Sequence, residues 1–232
     1  MKYVVSLLLG IVAGVVLFGL GLVYNPFLAD RGVSPLAVAG ADVITLTFSP
    51  VPDETIVYTN DGESMHAPNP VRVQQLWEAP VRQTSAAVMP MRDARGESAG
   101  LGIKFGSRSE STHLLRGDAI LDSAWYLYLP EYGSLFIHQS EDYWPFLRDV
   151  AFSAWRNSAN NWRGGWFGDT TVGPGALGTA AAKGGSGNLR GLDMEAVESL
   201  SVKAFSTDLG LISAEGRLVI AMPETEVADA VE

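Results

Sequence analysis

The sequence predicts a mainly β protein: an N-terminal transmembrane helix, then an antiparallel β-barrel or β-sandwich domain with one packed amphipathic helix. Three observations carry this expectation. The chain opens on a long uncharged apolar run; its remainder is a series of short segments that alternate apolar and polar; and only one later stretch has the spacing of a helix. The expected organisation is an anchor over residues 1–24, a linker over 25–41, a soluble β domain over 42–223 and an acidic tail over 224–232.

The anchor reads YVVSLLLGIVAGVVLFGLGLV from Tyr3 to Val23, with no charged residue. About twenty residues at 1.5 Å rise match a hydrocarbon core of about 30 Å. A cleaved signal peptide is the rival, but the run exceeds the roughly 7–15 residues of a secretory apolar region, and only Lys2 precedes it. Tyr24-Asn25-Pro26-Phe27 follows, an interfacial aromatic and a helix-stopping proline rather than a small-residue cleavage site. An uncleaved single-pass anchor is therefore expected, with a cytoplasmic N-terminus and the domain outside the cytoplasm, in the bacterial periplasm. Ser6, Gly10 and Gly14 recur every four residues on one face. Small residues at that spacing let membrane helices pack closely, so a homodimer or a membrane-protein partner through this face is one reading. The high glycine content of membrane helices in general is the other.

The β segments follow in order. In Asp42–Ser49, Ile44, Leu46 and Phe48 alternate with threonines, the period of a half-buried strand. Shorter β-rich pieces come at Thr55–Thr59, Val71–Trp77, Val81–Met89 and Gly100–Phe105, with Pro80 and Pro90 as separators. The clearest hairpin is Ala119–Gln139: Leu121, Trp125, Leu127 and Leu129 face one way, and Pro130-Glu131-Tyr132-Gly133 turns the chain. A helix is expected over Glu141–Asn157, with Ser140 as N-cap and an apolar stripe of Trp144, Leu147, Ala151, Ala154 and Trp155. The domain should close on an antiparallel pair, Met194–Phe205 and Arg217–Met222, around a Gly210–Gly216 connection.

The stretch Gly184-Gly185-Ser186-Gly187-Asn188-Leu189-Arg190-Gly191-Leu192, with the strand after it (about residues 184–204), resembles the glycine hairpin of allene-oxide-cyclase and dirigent-type β-barrels. That resemblance implies a small barrel with an apolar cavity. It transfers no functional residue, because the helix and the long N-terminal part depart from the pattern.

Composition excludes more than it assigns. A net charge of −10 argues against nucleic acid as a partner, and the absence of cysteine removes disulfides, thiolate metal sites and cysteine nucleophiles. The three histidines, His66, His113 and His138, form no metal-binding spacing, so neither metal nor cofactor is expected. Gly173-Pro174-Gly175-Ala176-Leu177-Gly178 fits GxGxxG only formally, since no βαβ pattern surrounds it. No serine sits in a nucleophile elbow, and no catalytic residue is assigned. The uneven feature is aromatic: five of the six tryptophans lie between residues 125 and 166. Trp125 and Tyr128 are candidates to line a cavity, and Trp162 and Trp166, lying outside any periodic element, are candidates for an exposed interface. A core between hairpin and helix accounts for the same rings. The expected function is that of a membrane-anchored, non-catalytic accessory protein contacting a partner protein or envelope component. The alternative is a barrel that binds a lipid-like or apolar small molecule, with isomerase or lyase activity.

Overall fold

The computed structural model describes residues 2–23, 43–51, 56–59, 73–75 and 84–223. The expected linker, the segment around His66 and the acidic tail lie outside them. Helix α1 (Lys2–Val23) is continuous over 22 residues, and large apolar side chains along it, among them Tyr3, Leu9, Val15, Phe18 and Leu20, stand exposed. Over the described residues, no helix is long and apolar enough to cross a membrane. Helicity of the N-terminal segment is thus observed, while its place in a bilayer rests on the sequence.

The rest is an eight-stranded antiparallel barrel. Its wall comprises β1 (Val43–Phe48), β4 (Thr84–Arg92), β5 (Ser98–Arg108), β6 (Ile120–Leu129), β7 (Gly133–Asp142), β10 (Ala180–Gly184), β11 (Asp193–Ser206) and β12 (Gly210–Ala221). The order is β1-β12-β11-β10-β7-β6-β5-β4, and a β1–β4 contact at Thr47 and Arg92 closes the ring. Four strands lie off the ring. β2 (Ile56–Thr59) pairs β4 and, in parallel, β3 (Val73–Gln75); β8 (Asn161–Asp169) pairs β11, and β9 (Thr171–Gly173) pairs β7. This settles the barrel against the sandwich.

Alternation fixes what faces the bore. Ile44, Leu46 and Phe48 from β1, Trp125, Leu127 and Leu129 from β6, and Leu135 and Ile137 from β7 meet in one buried cluster with Leu218 and Ile220. The Trp125 ring stands edge-on to Phe48 at 5.0 Å. Room for these rings comes from β5. A methyl group on Gly102 would lie 2.8 Å from Met91 Sδ and 2.9 Å from the Trp125 ring. Pro90, expected as a separator, lies inside β4, in the gap between the β2 pairing that ends at Val88 and the β1 contact at Arg92. A missing N–H costs little where that side of the strand has no partner.

The expected helix is shorter and irregular. Glu141 and Asp142 belong to β7, and the helical segment is α2 (Trp144–Phe146), a π-helical turn (Leu147–Ala151) and α3 (Phe152–Arg156). Ser140 does not cap it but hydrogen-bonds Asp122, while Asp142 Oδ1 accepts from Trp144 N at 2.9 Å. The π turn adds a residue and rotates the buried stripe to Phe146, Val150 and Ala154, leaving Trp155 exposed. This stripe packs on Leu200, Val202 and Phe205 of β11, with Phe146 edge-on to Phe205 at 5.3 Å and to Trp166 at 5.5 Å.

Two loop expectations also change. Gly210–Gly216 is strand rather than connection; the β11–β12 turn is the tighter segment before Gly210. The Gly184–Leu192 stretch does connect two strands, by a 3-10 turn folded onto the β6–β7 hairpin, with Asn188 N donating to Tyr132 O at 2.8 Å. Gly184 is required there, since a Cβ would strike the Leu189 carbonyl. The barrel agrees with the architecture that resemblance implies.

Candidate functional site

β5 reverses the usual pattern of a barrel strand. Its larger apolar residues Leu101 and Phe105 point outward and are exposed, while Gly100, Gly102, Lys104 and Gly106 share the inward face. The register sets Lys104 opposite Trp125, and on the same face Gly106 lies opposite Ser123 and Ser85. β7 contributes Gln139 and Glu141 inward, and β11 contributes Glu198, between Ala196 and Leu200.

These side chains form one connected polar cluster. Lys104 Nζ lies 2.7 Å from Glu141 Oε1 and 2.7 Å from Glu198 Oε1. Trp125 Nε1 donates to Glu198 Oε2 at 2.9 Å, and Gln139 Nε2 donates to the same oxygen. Thr171 Oγ1 donates to Gln139 Oε1 at 2.9 Å and accepts from Glu198 N at 2.8 Å. From the start of α2, Tyr143 donates its hydroxyl to Glu141 Oε1 at 3.0 Å. Glu141 and Glu198 are buried to 1% and 5% side-chain exposure, whereas Lys104 retains 15%. Its ammonium also sits 5.3 Å from the centre of the Trp125 ring, a cation–π contact.

The electrostatics follow from burial and proximity. Burial alone would lower the Lys104 pKa, but Glu141 and Glu198 together push it well above its ordinary 10.5. Burial and then the Glu141 carboxylate raise Glu198, against the opposing pull of Lys104 and the Trp125 hydrogen bond. Burial, reinforced by Glu141, raises Tyr143 well above 10.0, so its phenol stays a donor. The cluster therefore holds a fixed cation, a phenol that keeps its proton and a carboxyl group drawn toward protonation.

Space lies beside it. Unlike at Gly102, a methyl group on Gly106 would find only Ser85 Oγ, at 3.6 Å, within contact range. Across from Gly106, Ser123 is 3% exposed and its hydroxyl has no hydrogen-bond partner. The bore is tightly packed at the level of Gly102 and Leu127, and less tightly at Gly106.

Of the aromatic residues singled out in the sequence, Trp125 lines the bore and donates to the cluster. Tyr128 lies on the outer face and is 52% exposed, so the two line no common cavity: residues three apart on a strand point to opposite sides. Trp162 and Trp166 are neither outside a regular element nor free. Both lie in β8, partly buried against the α2–α3 segment. Each ring covers the glycine two residues on, with Cβ positions of Gly164 and Gly168 falling 2.7 and 2.8 Å from Trp162 and Trp166 atoms. Exposed rings in the barrel domain include Phe105, Tyr128 and Phe136 on the outer wall, with Tyr132, Phe152, Trp155 and Phe167 elsewhere. Ser6, Gly10 and Gly14 lie in α1, where a Cβ on either glycine would meet nothing. Among the described residues no group of metal-ligating side chains is assembled.

No protein-family model matches the chain, and no curated protein matches it. Solved structures do. A nonspecific haem-binding cyclase that catalyses a [4 + 2] cycloaddition during neoabyssomicin biosynthesis aligns at 10% identity and a TM-score of 0.38, over 81% of this chain and 70% of that one. The Diels Alderase AbmU from Streptomyces koyangensis aligns at 11% identity and a TM-score of 0.34, over 82% and 72%. At that level of similarity neither bears on the chemistry of this bore.

Sequence reasoning missed Lys104, Glu141, Glu198, Gln139 and Ser123 as a group. One signal was present. In Met194, Ala196, Glu198 and Leu200 a carboxylate occupies the apolar parity of a strand, which a soluble domain does not do without a partner.

Proposed function

We propose that this chain is a membrane-tethered β-barrel that binds a small molecule at the Gly106 level of its bore and performs proton-transfer chemistry on it, of the isomerase or lyase kind. The observation that carries the reading is Lys104 clamped between the buried carboxylates of Glu141 and Glu198. A buried ion triad is a poor source of stability, because well-packed apolar side chains of similar volume do as well or better. Here Gly106, two residues from Lys104 on the same face, leaves room for a methyl group, and a ligand admitted there would meet the cation and a carboxyl group together. Such a site removes a proton from an activated carbon and returns it elsewhere on the same molecule, with Lys104 stabilising the charge that develops. The tether is supported by the uncharged apolar run Tyr3–Val23 within α1, and it would deliver an apolar ligand from the bilayer.

A second reading, a non-catalytic accessory protein, draws on the exposed outer-wall rings Phe105, Tyr128 and Phe136 and on the small-residue face of α1. One experiment separates the two. Full-length protein is purified from native membranes in mild detergent, and co-purifying proteins and extracted small molecules are identified by mass spectrometry. The barrel reading expects an organic ligand that is depleted in Lys104→Met. A stoichiometric protein partner without any ligand would replace it with the accessory reading.

A further inference from the structure

We infer that a shallow pocket on the outer wall of the barrel, floored by Ala124 and ending at Asp122, binds a primary ammonium group carried on a small apolar body. The site lies outside the bore and does not rest on the reading above.

The strand register builds it. Phe105, Ala124 and His138 stand side by side on β5, β6 and β7, and Thr84, Ser107, Asp122 and Ser140 form the next outward row. With neighbouring strands about 4.8 Å apart, the strands carrying Phe105 and His138 lie roughly 10 Å apart, and only the Ala124 methyl stands between the two rings. The result is a depression of about 190 Å³ whose lining includes Thr84, Phe105, Ser107, Asp122, Ala124 and His138. Drug-sized ligands fill pockets of about 300–1,000 Å³, so this one suits a compact molecule.

Charge selects the class. Asp122 Oδ1 accepts from Ser140 Oγ at 2.9 Å; among the described residues its other oxygen takes no hydrogen bond and no cation pairs with it. Phe105 is 46% exposed. An uncompensated carboxylate beside an open aromatic face, in a chain of net charge −10, favours a cation over a neutral or anionic group. A lone carboxylate is a poor metal site, since hard cations need several oxygen ligands. The hydroxyls of Ser107 and Thr84 add acceptors beside Asp122, which N–H groups use and a quaternary ammonium does not. The apolar body then lies over Ala124, between Phe105 and His138.

The test uses full-length protein in lipid nanodiscs at neutral pH, corrected against empty nanodiscs. The probes are benzylammonium, benzyltrimethylammonium, benzyl alcohol and benzoate, and ligand-observed NMR titrations measure affinity. Benzylammonium is expected to bind saturably and at least about tenfold more tightly than each of the others. Asp122→Asn should weaken it about tenfold or more, the worth of a charge-assisted hydrogen bond. Phe105→Leu should weaken it about two- to fivefold through the lost cation–π contact. Ala124→Leu, which fills the depression, should abolish binding. Glu131→Gln, in the turn between β6 and β7, should leave the affinity unchanged. All four positions are on the outer wall or in a turn, so the buried core is untouched. Equal affinity for benzyl alcohol or for the quaternary ion overturns the proposal. Equal losses in Asp122→Asn and Glu131→Gln, the mark of general attraction to an acidic surface, overturn it too. So does binding that survives Ala124→Leu, or no saturable binding of benzylammonium.

Discussion

Lys104 Nζ reaches Glu198 Oε1 at 2.7 Å across 94 residues of sequence, joining β5 to β11 through the bore rather than through the wall. Neither strand pairs with the other, so this ion pair and the Trp125 bond to Glu198 tie opposite sides of the barrel together.

Removing the cation should therefore be expensive. Lys104→Met leaves Glu141 and Glu198 buried with no counter-charge, and a loss of about 3–5 kcal/mol is expected in urea unfolding. The triple change Lys104→Met, Glu141→Gln, Glu198→Gln should recover most of it, since no uncompensated charge remains. A triple variant no more stable than Lys104→Met would show that packing, not charge, carries the loss.

The raised pKa values predict the sign of the pH dependence. Glu198 titrates higher in the folded protein than the roughly 4.3 of an unfolded glutamate, so the folded state binds the extra proton. Its contribution is most favourable below about pH 4.3 and is lost as pH rises through the folded value. Unfolding of wild type and Glu198→Gln, compared from pH 4 to 8, should show wild type losing stability relative to the variant as pH increases. Lys104 is also raised, so its contribution persists through neutrality and is lost only above its ordinary 10.5.

Two glycines on the same face of β5 should respond in opposite ways. Gly102→Ala drives a methyl against Met91 and the Trp125 ring, and a cost of about 1–3 kcal/mol is expected. Gly106→Ala meets nothing closer than 3.6 Å and should be neutral, or stabilising by up to about 1 kcal/mol through the lower entropy of the unfolded chain. Thermal melts of the two variants side by side decide it. Equal destabilisation would mean that the space beside Gly106 is filled in solution.

The helical segment offers a similar contrast. Val150 is fully buried under β11, whereas Trp155 is 67% exposed. Val150→Ala should cost about 2 kcal/mol, from two lost methylene equivalents and a cavity. Trp155→Ala should fall within about 0.5 kcal/mol of wild type in the same unfolding assay. A straight helix would reverse the order.

That contrast also shows how far the sequence could be read. Strands with clean alternation were legible, because burial of one face dictates it: Ile44, Leu46 and Phe48, and Trp125, Leu127 and Leu129, all lie where their parity puts them. The buried face of the helix was not legible, since a π turn shifts the stripe by one residue and leaves no compositional mark. The site was hidden for another reason. In β5 the apolar parity, Leu101 and Phe105, is the outer one, and the inward glycines register only once Trp125 is known to need their space. Glu198 was the one visible anomaly; its partners come from β5, β6 and β7, which no local pattern connects to it.

Finally, the ring is joined unevenly. β1 matches β12 over six residues, from Val43 opposite Ala221 to Phe48 opposite Gly216, but its pairing with β4 is confined to Thr47 and Arg92. The first strand of the barrel thus finds its main partner in the last one made. During synthesis β1 must wait, unpaired, until nearly the whole domain has emerged, and closure becomes the final and slowest contact to form. A chain stopped short of β12 would keep its polar cluster residues Lys104, Glu141 and Glu198 but lose the strand that seals the bore around them.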